Sequence, residues 1–110
     1  MTRTSVQSRF LDADAILGFL AAHVDTLCGF GVKRLGLFGS FVRGEQDQDS
    51  DLDFLVEFAS RDLKTFDNYF NLKFRLEDTL GYGSDLVIAE NLREQFRPQI
   101  LSDVRYVEGL

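Results

Sequence analysis

The sequence is poor in the residues that build disulfide frameworks and soft-metal centres, with one cysteine, Cys28, and one histidine, His23. A single cysteine excludes an internal disulfide. Because Cys28 falls in an apolar stretch, we expect it to be a buried core residue rather than a reactive thiol. His23 has no second ligand at metal-binding spacing, which favours a structural or surface role. Any chemistry of this chain therefore has to come from other residue types.

Long apolar runs are also missing from the sequence. No segment approaches the about 20 apolar residues of a membrane-spanning helix, and residues 1–10 contain no run of signal-peptide length. We therefore expect a cytoplasmic protein. A chain of 110 residues is the size of one domain, so residues 1–110 are expected to form a single domain with a modest core.

Basic residues are outnumbered by acidic ones, with 12 Lys and Arg against 18 Asp and Glu and a formal net charge of -6. Proteins that bind nucleic acid on their own gain most of their affinity by neutralising phosphates with Lys and Arg. This composition argues against direct binding of nucleic acid. Because one small domain has no room for a separate substrate lobe, we expect a large substrate to be held partly by another protein.

Helix and strand patterns alternate along the chain. Apolar residues at helical spacing, with polar N-caps before them or glycine after them, predict helical segments at 14–28, 41–44, 64–80 and 91–102. Short apolar segments between glycines or polar loops predict strands at 32–38, 52–58, 85–89 and 104–107. Alternation of this kind is typical of an α/β domain, so the expected fold is a sheet with helices packed on it.

Two of these helices carry more detailed predictions. The first is expected to begin at an N-cap, either Asp12 or Asp14, and to end at Gly29 or Gly31. The helix at 64–80 contains aromatic residues close to helical spacing, namely Phe66, Tyr69, Phe70 and Phe74. We expect this aromatic stripe to pack in the core rather than to stack on nucleic-acid bases.

Two carboxylates stand at the start of the second predicted strand. Side chains alternate along a strand, so Asp51 and Asp53 project from the same face, next to an apolar segment. Holding both ionised there costs several kcal/mol unless a cation or a proton neutralises them. Magnesium suits the pair because it binds a few carboxylates together with phosphate oxygens and water. The pair is therefore a candidate magnesium site.

Neighbouring residues indicate phosphate chemistry. Gly39 lets the backbone approach a ligand closely, and Ser40, at a strand-to-helix turn, offers a hydroxyl and N–H groups to a phosphate. Asp85 opens the third predicted strand and lies beside Asp51 and Asp53 if the two strands are neighbours. Three carboxylates and about two metal ions would stabilise the attacking and leaving oxygens of a phosphoryl transfer. Asp85 would then help to deprotonate an attacking hydroxyl.

The run from Gly39-Ser40 through residues 41–50 to Asp51-x-Asp53 resembles the hallmark of the MNT-type minimal nucleotidyltransferases of the DNA polymerase beta superfamily. The likeness continues into later parts of the sequence and covers most of the chain. It implies the polymerase-beta-like nucleotidyltransferase fold, a mixed sheet flanked by helices.

The resemblance also implies roles for particular residues. Gly39 and Ser40 would lie at the triphosphate, Asp51 and Asp53 would be metal ligands, and Asp85 would complete the catalytic metal site. Arg43 matches the family's Gly-Ser-x-x-Arg-Gly run and is a candidate phosphate contact. An ion pair of this arginine with a nearby acid, Glu45 or Asp47, is the alternative.

The function implied by the resemblance is that of an antitoxin. MNT domains are similar to the antitoxin halves of toxin–antitoxin modules whose partner is typically a HEPN-fold RNase. The chain would then use magnesium to transfer AMP from ATP to a tyrosine of that toxin and silence it. Two alternatives stay open, namely an antitoxin that acts by binding alone and a nucleotidyltransferase that modifies a small molecule such as an antibiotic.

Overall fold

A computed structural model of the chain describes residues 11–110, so the expectation that residues 1–10 contain no leader lies outside the described part. The helices are α1 (Ala13–Ala21), α2 (Val24–Gly29), α3 (Ser40–Arg43), α4 (Phe66–Leu80) and α5 (Arg97–Asp103). The strands are β1 (Val32–Phe38), β2 (Leu52–Phe58), β3 (Ser84–Ile88) and β4 (Arg105–Tyr106). Short 3₁₀ turns at Arg61–Leu63 and Ala89–Asn91 lie between them.

The four strands form one mixed sheet in the order β3-β2-β1-β4. β1 runs antiparallel to both β2 and β4, whereas β2 and β3 are parallel. The parallel connection is made by α4, as a crossover between parallel strands requires. The predicted fold class, a mixed sheet with helices, is confirmed.

The two faces of the sheet differ in character because side chains alternate along each strand. On β2 the residues of one face are all buried, namely Leu52, Phe54, Val56 and Phe58. They share a core cluster with buried residues of α1, α2 and α4. The alternate residues of β2 are Asp53, Leu55 and Glu57, of which only Leu55 is buried. The carboxylates of β2 therefore lie on the face away from this core.

The β3 edge of the sheet is covered by side chains of α4. The Tyr69 hydroxyl donates to the carbonyl of Leu86 at 2.7 Å, and Lys73 Nζ donates to the carbonyl of Ser84 at 2.5 Å. An edge strand has backbone groups that no neighbouring strand pairs. Here two carbonyl groups of the edge strand are satisfied by a helix.

The predicted helix at 14–28 is divided into α1 and α2, and the division lies at His23. In a continuous helix the N–H of His23 would bond to the carbonyl of Phe19. Instead His23 Nδ1 lies 2.8 Å from that carbonyl oxygen, the His23 N–H bonds to Leu20, and the imidazole stacks on the Phe19 ring. The expected structural or surface role of His23 is confirmed, and Asp12 is the N-cap of α1.

The expectation that the aromatic stripe packs in the core holds for Tyr69, which packs against the core cluster, but is wrong for Phe66 and Phe74. Phe66 is 79% exposed and Phe74 is 57% exposed. The buried face of α4 is aliphatic and consists of Leu72, Leu76 and Leu80. Both sets of residues recur every four positions, so helical spacing alone does not decide which of them faces the sheet.

Three smaller differences concern the remaining elements. Cys28 is exposed, because α2 is short and its buried position is taken by Leu27, so the expectation of a buried cysteine is wrong. The helical segment predicted at 91–102, disturbed or restarted at Pro98, is reduced to α5, which begins at Arg97 and carries Pro98 in its first turn. The closing strand pairs only at Arg105–Tyr106. No helix within residues 11–110 is both long and apolar enough to cross a membrane.

Candidate active site

The three aspartates of the sequence motif meet at one end of the sheet. In the parallel pairing of β2 with β3, Leu52 is opposite Ser84 and Asp53 is opposite Asp85. Paired residues of neighbouring strands project from the same face. Asp51 comes one residue before β2. The condition on which the prediction depended, that the strands carrying Asp53 and Asp85 are neighbours, is confirmed.

The electrostatics of Asp53 reflect this convergence. Partial burial raises the pKa of the Asp53 carboxyl above its ordinary value, and the charges of Asp85 and Asp51 raise it further. Arg43 acts on this pKa in the opposite direction but does not cancel the rise. A carboxylate in such surroundings is stabilised by added positive charge. The site therefore favours a bound cation.

Gly39 makes room for the Asp53 carboxylate. It is buried between β1 and α3 with φ 87° and ψ −153°, a backbone conformation that residues other than glycine rarely adopt. A Cβ at this position would lie 2.3 Å from Asp53 Oδ2. The close approach predicted for a ligand at Gly39 is thus made, within the chain, by Asp53.

Gly83 has the same relation to Asp51, and the sequence interpretation overlooked it. A Cβ on Gly83 would lie 2.7 Å from Asp51 Oδ1, and the Gly83 carbonyl accepts from the Leu52 N–H at 2.9 Å. The signal for it was a glycine placed directly before Ser84-Asp85.

Ser40 is the first residue of α3, the short helical turn that follows β1. It is partly buried, and the next residue, Phe41, anchors the turn in the core at 2% exposure. The Phe41 ring packs edge-on against the ring of Tyr82 at 5.2 Å between centroids. The turn ends at Gly44, which is left-handed with φ 72°. Ser40 is therefore held next to Gly39 at the same end of the sheet as the aspartates.

Arg43 is engaged by two carboxylates. Its Nε donates to Glu45 at 3.0 Å and an Nη donates to Asp103 at 2.8 Å, which ties α3 to the end of α5. The ion pair with Glu45 is one of the alternatives drawn from the sequence. The bond to Asp103 was not foreseen, because 60 positions of sequence separate the two residues. Asp47 instead accepts from the Asp49 N–H within its own loop.

The donor set fits magnesium rather than an ion that needs a closed protein cage. The three aspartates lie at one end of the sheet, but within residues 11–110 no three Asp, Glu, His or Cys side chains are placed so that they could hold a metal ion by themselves. Magnesium is usually held by one or two carboxylates while it keeps several waters and takes phosphate oxygens from a substrate. An open cluster of aspartates next to the Gly39–Ser40 turn is compatible with such a site.

Comparisons with known proteins agree with this geometry. The model of the family described as polymerase beta, nucleotidyltransferase matches residues 29–107. The protein adenylyltransferase MntA of Thermococcus cleftensis is 38% identical over 98 residues, which cover 88% of this chain and 97% of that protein. These two matches place the motif residues inside a likeness that spans most of the chain.

Solved structures show the same fold. A structure described as a candidate minimal nucleotidyltransferase superposes with a TM-score of 0.69 at 35% identity, over 86% of this chain and 95% of that one. A complex of a tri-AMPylated HEPN toxin from Shewanella oneidensis with an MNT antitoxin gives a TM-score of 0.60 at 18% identity, over 86% of this chain and 73% of that one. At that low identity the second likeness concerns the fold alone.

Proposed function

Because the chain belongs to the polymerase beta nucleotidyltransferase family, we propose that it transfers AMP from ATP to a hydroxyl of a partner protein. The observation that carries the proposal is the pairing of Asp53 with Asp85 on adjacent parallel strands, with Asp51 next to them. The relative from Thermococcus cleftensis bears the name of a protein adenylyltransferase, which supports AMP as the transferred group and a protein as the acceptor.

In the proposed reaction the acceptor oxygen forms a bond to the α-phosphorus of ATP, and the bond from that phosphorus to pyrophosphate breaks. Asp51 and Asp53 would hold magnesium, and Asp85 would complete the site. Gly39, Ser40 and Arg43 contact the phosphates. Magnesium at this site would supply positive charge to the attacking and leaving oxygens.

Asp85 takes the proton of the acceptor hydroxyl, which is the general-base role in this scheme. Its position opposite Asp53 supports the assignment, because a base has to lie within hydrogen-bond reach of the proton that it removes. It is exposed, so a hydroxyl of a second protein can reach it. Pyrophosphate leaves with the electron pair of the broken bond.

The proposed partner is a HEPN-type RNase toxin, modified on a tyrosine, with this chain as its antitoxin. The support is the fold shared with an MNT antitoxin that was solved with its AMPylated HEPN toxin. The net charge of -6 also suits docking on a basic partner. We propose that residues 1–110 act as one minimal domain, so that the partner provides the missing surface for the acceptor.

Intact-mass spectrometry tests the proposal. The protein encoded by the neighbouring gene is incubated with this chain and Mg-ATP, beside a double variant, Asp51→Asn with Asp53→Asn. We expect mass additions of one or more AMP groups with the wild type and none with the variant. A partner that is bound tightly but stays unmodified would support neutralisation by binding alone. Modification of small hydroxylated compounds in place of the protein would support the antibiotic-type alternative.

Binding of the donor can be tested without any acceptor. A ligand at a hundred times its Kd stabilises a folded protein by about 2.7 kcal/mol. We therefore expect Mg-ATP in excess to raise the Tm of the wild type and to leave the double variant almost unchanged. Absence of any shift in the wild type would contradict the nucleotidyltransferase proposal itself.

A further inference from the structure

The turn between α4 and β3 is held by two charged side chains of the helix. Glu77 Oε2 accepts the Ser84 N–H at 2.8 Å and lies 3.3 Å from the Ser84 hydroxyl. Lys73 Nζ donates to the same carboxylate at 2.5 Å and to the Ser84 carbonyl at 2.5 Å. The N–H and the C=O of one residue are thus both bonded to α4 side chains.

Ser84 is the residue through which this bonding reaches the aspartates. It is 4% exposed, it is the first residue of β3, and its neighbours in the chain are Gly83 and Asp85. Its partner across the sheet, Leu52, lies between Asp51 and Asp53. Because β3 is an edge strand, only β2 holds its backbone within the sheet. A residue in a central strand is held by neighbouring strands on both sides. Ser84 lacks the second strand, so its position depends more on its contacts with α4.

The placement of Lys73 and Glu77 is not the one that would stabilise the helix best. An acidic residue near the C-terminus of a helix meets the negative end of the helix dipole. A lysine four residues before a glutamate is also the weaker order for such a pair. The charged form of Glu77 is nevertheless favoured, because the hydrogen bonds from Lys73 and from the Ser84 N–H lower its pKa. Helix stability does not explain this arrangement, whereas the hold on Ser84 does.

We propose that Glu77 is a positioning residue for AMP transfer, which through Ser84 fixes the backbone of Asp85 in register with Asp53. The inference rests on the proposed function, in which Asp85 receives the proton of the acceptor hydroxyl. Glu77 acts through its oxygen as an acceptor for the Ser84 N–H. Its side chain needs no contact with ATP, the acceptor or a metal ion.

The test compares Glu77→Ala with Glu77→Gln in AMP transfer from Mg-ATP to the protein encoded by the neighbouring gene. Displacements of about 1 Å in an active site can cost about a hundredfold in rate, so we expect Glu77→Ala to lower kcat ten- to a hundredfold. The KM for ATP should stay within about twofold, since the lost contact does not bind ATP. Glu77→Gln keeps an oxygen for the Ser84 N–H and should recover most of kcat.

Glu90→Ala is the matched control. It removes another lysine–glutamate ion pair, that of Lys64 with Glu90. Glu90 lies after β3 and, among the described residues, makes no contact with Ser84. We expect its kcat and KM to equal those of the wild type. If Glu77→Ala keeps its kcat within about twofold, or if Glu77→Gln is as slow as Glu77→Ala, the inference is overturned.

Amide hydrogen exchange gives a second readout that does not need activity. The Ser84 and Asp85 amides should exchange faster in Glu77→Ala than in the wild type, and Glu77→Gln should restore their protection. Unchanged exchange at Ser84 in Glu77→Ala would overturn the inference even if the enzyme is active. A wild-type chain that transfers no AMP would instead contradict the proposed function, and exchange would still decide whether Glu77 holds Ser84.

Discussion

Gly39 and Gly44 frame the short helix α3 and both have positive φ, but their surroundings differ. A Cβ on Gly39 would lie 2.3 Å from Asp53 Oδ2, whereas nothing lies within 4 Å of a Cβ on Gly44. We expect Gly39→Ala to displace Asp53 and weaken Mg-ATP binding at least tenfold, with a loss of about 1–3 kcal/mol in stability. Isothermal titration calorimetry and thermal unfolding measure the two effects.

Gly44→Ala is the control for backbone strain alone. Its left-handed conformation costs an alanine about 1–2 kcal/mol, but no neighbouring atom has to move. We expect lower stability and unchanged Mg-ATP affinity. If both alanine variants bind equally well, the contact between Gly39 and Asp53 has no part in holding the site.

The raised pKa of Asp53 makes stability depend on pH in a definite direction. Since the folded pKa lies above the ordinary value of 3.8, the unfolded chain releases this proton first as pH rises. Asp53 therefore costs the folded state stability as pH rises from about that value through the folded pKa. Below this window the cost is absent, and above it the cost is constant.

Asp53→Asn is thus expected to raise the Tm at pH 7 without divalent ions, and the gain should disappear at acid pH. The same variant should lose the stabilisation by Mg-ATP, because in the proposed scheme Asp53 is a ligand of the ion. Thermal unfolding from pH 3 to pH 8 tests both statements, with Glu94→Gln as a control at a side chain that is 91% exposed. A variant less stable than the wild type at pH 7 would contradict this account.

At the scale of elements, α4 carries two stripes with opposite roles. Leu72→Ala removes a fully buried side chain and should cost about 2–5 kcal/mol in the free energy of unfolding. Phe66→Ala removes a larger ring that is 79% exposed, so its cost should stay within about 0.5 kcal/mol. Urea unfolding of both variants measures the difference. A large loss for Phe66→Ala would show that this ring is packed after all.

The link between α3 and α5 gives a test of Arg43. If Arg43 contacts the phosphates of ATP, the Asp103 carboxylate competes with them for the guanidinium, because Arg43 Nη1 lies 2.8 Å from Asp103 Oδ2. Asp103→Asn should then increase the affinity for Mg-ATP, while its effect on stability stays within about 1 kcal/mol, as for other exposed ion pairs. Calorimetric titration measures the affinity, with Glu94→Gln again as control. An unchanged affinity would leave Arg43 with the structural role of joining α3 to α5.

The sequence patterns predicted the type of each element, helix or strand, better than they predicted what the element packs against. The strand segments 32–38 and 52–58 have the predicted bounds, because both are apolar and are followed or preceded by clear turn residues. The break at His23 was not predicted, since the apolar period continues across it, whereas in the structure the imidazole of His23 lies at the Phe19 carbonyl. The orientation of α4 was not predicted either, because two stripes share the helical period.

At the scale of the whole molecule, the strand order decides what the motif can do. The spacing of Gly39, Ser40, Asp51 and Asp53 could be read from neighbouring positions in the sequence. The place of Asp85 depended on β2 and β3 being adjacent and parallel, which local patterns do not determine. The contacts of Arg43 with Asp103 and of Gly83 with Asp51 were missed for the same reason, since each joins segments that lie apart in the sequence.

The covering of β3 by Tyr69 and Lys73 has a consequence for assembly. An uncovered edge invites a strand of another chain to add to the sheet, and repeated addition leads to fibrils. Here the carbonyls of Ser84 and Leu86 already have donors, so an incoming strand would first have to displace the side chains of Tyr69 and Lys73. On this side the molecule resists open-ended polymerisation, and a partner protein that meets the β3 edge has to be recognised by side chains rather than by extension of the sheet.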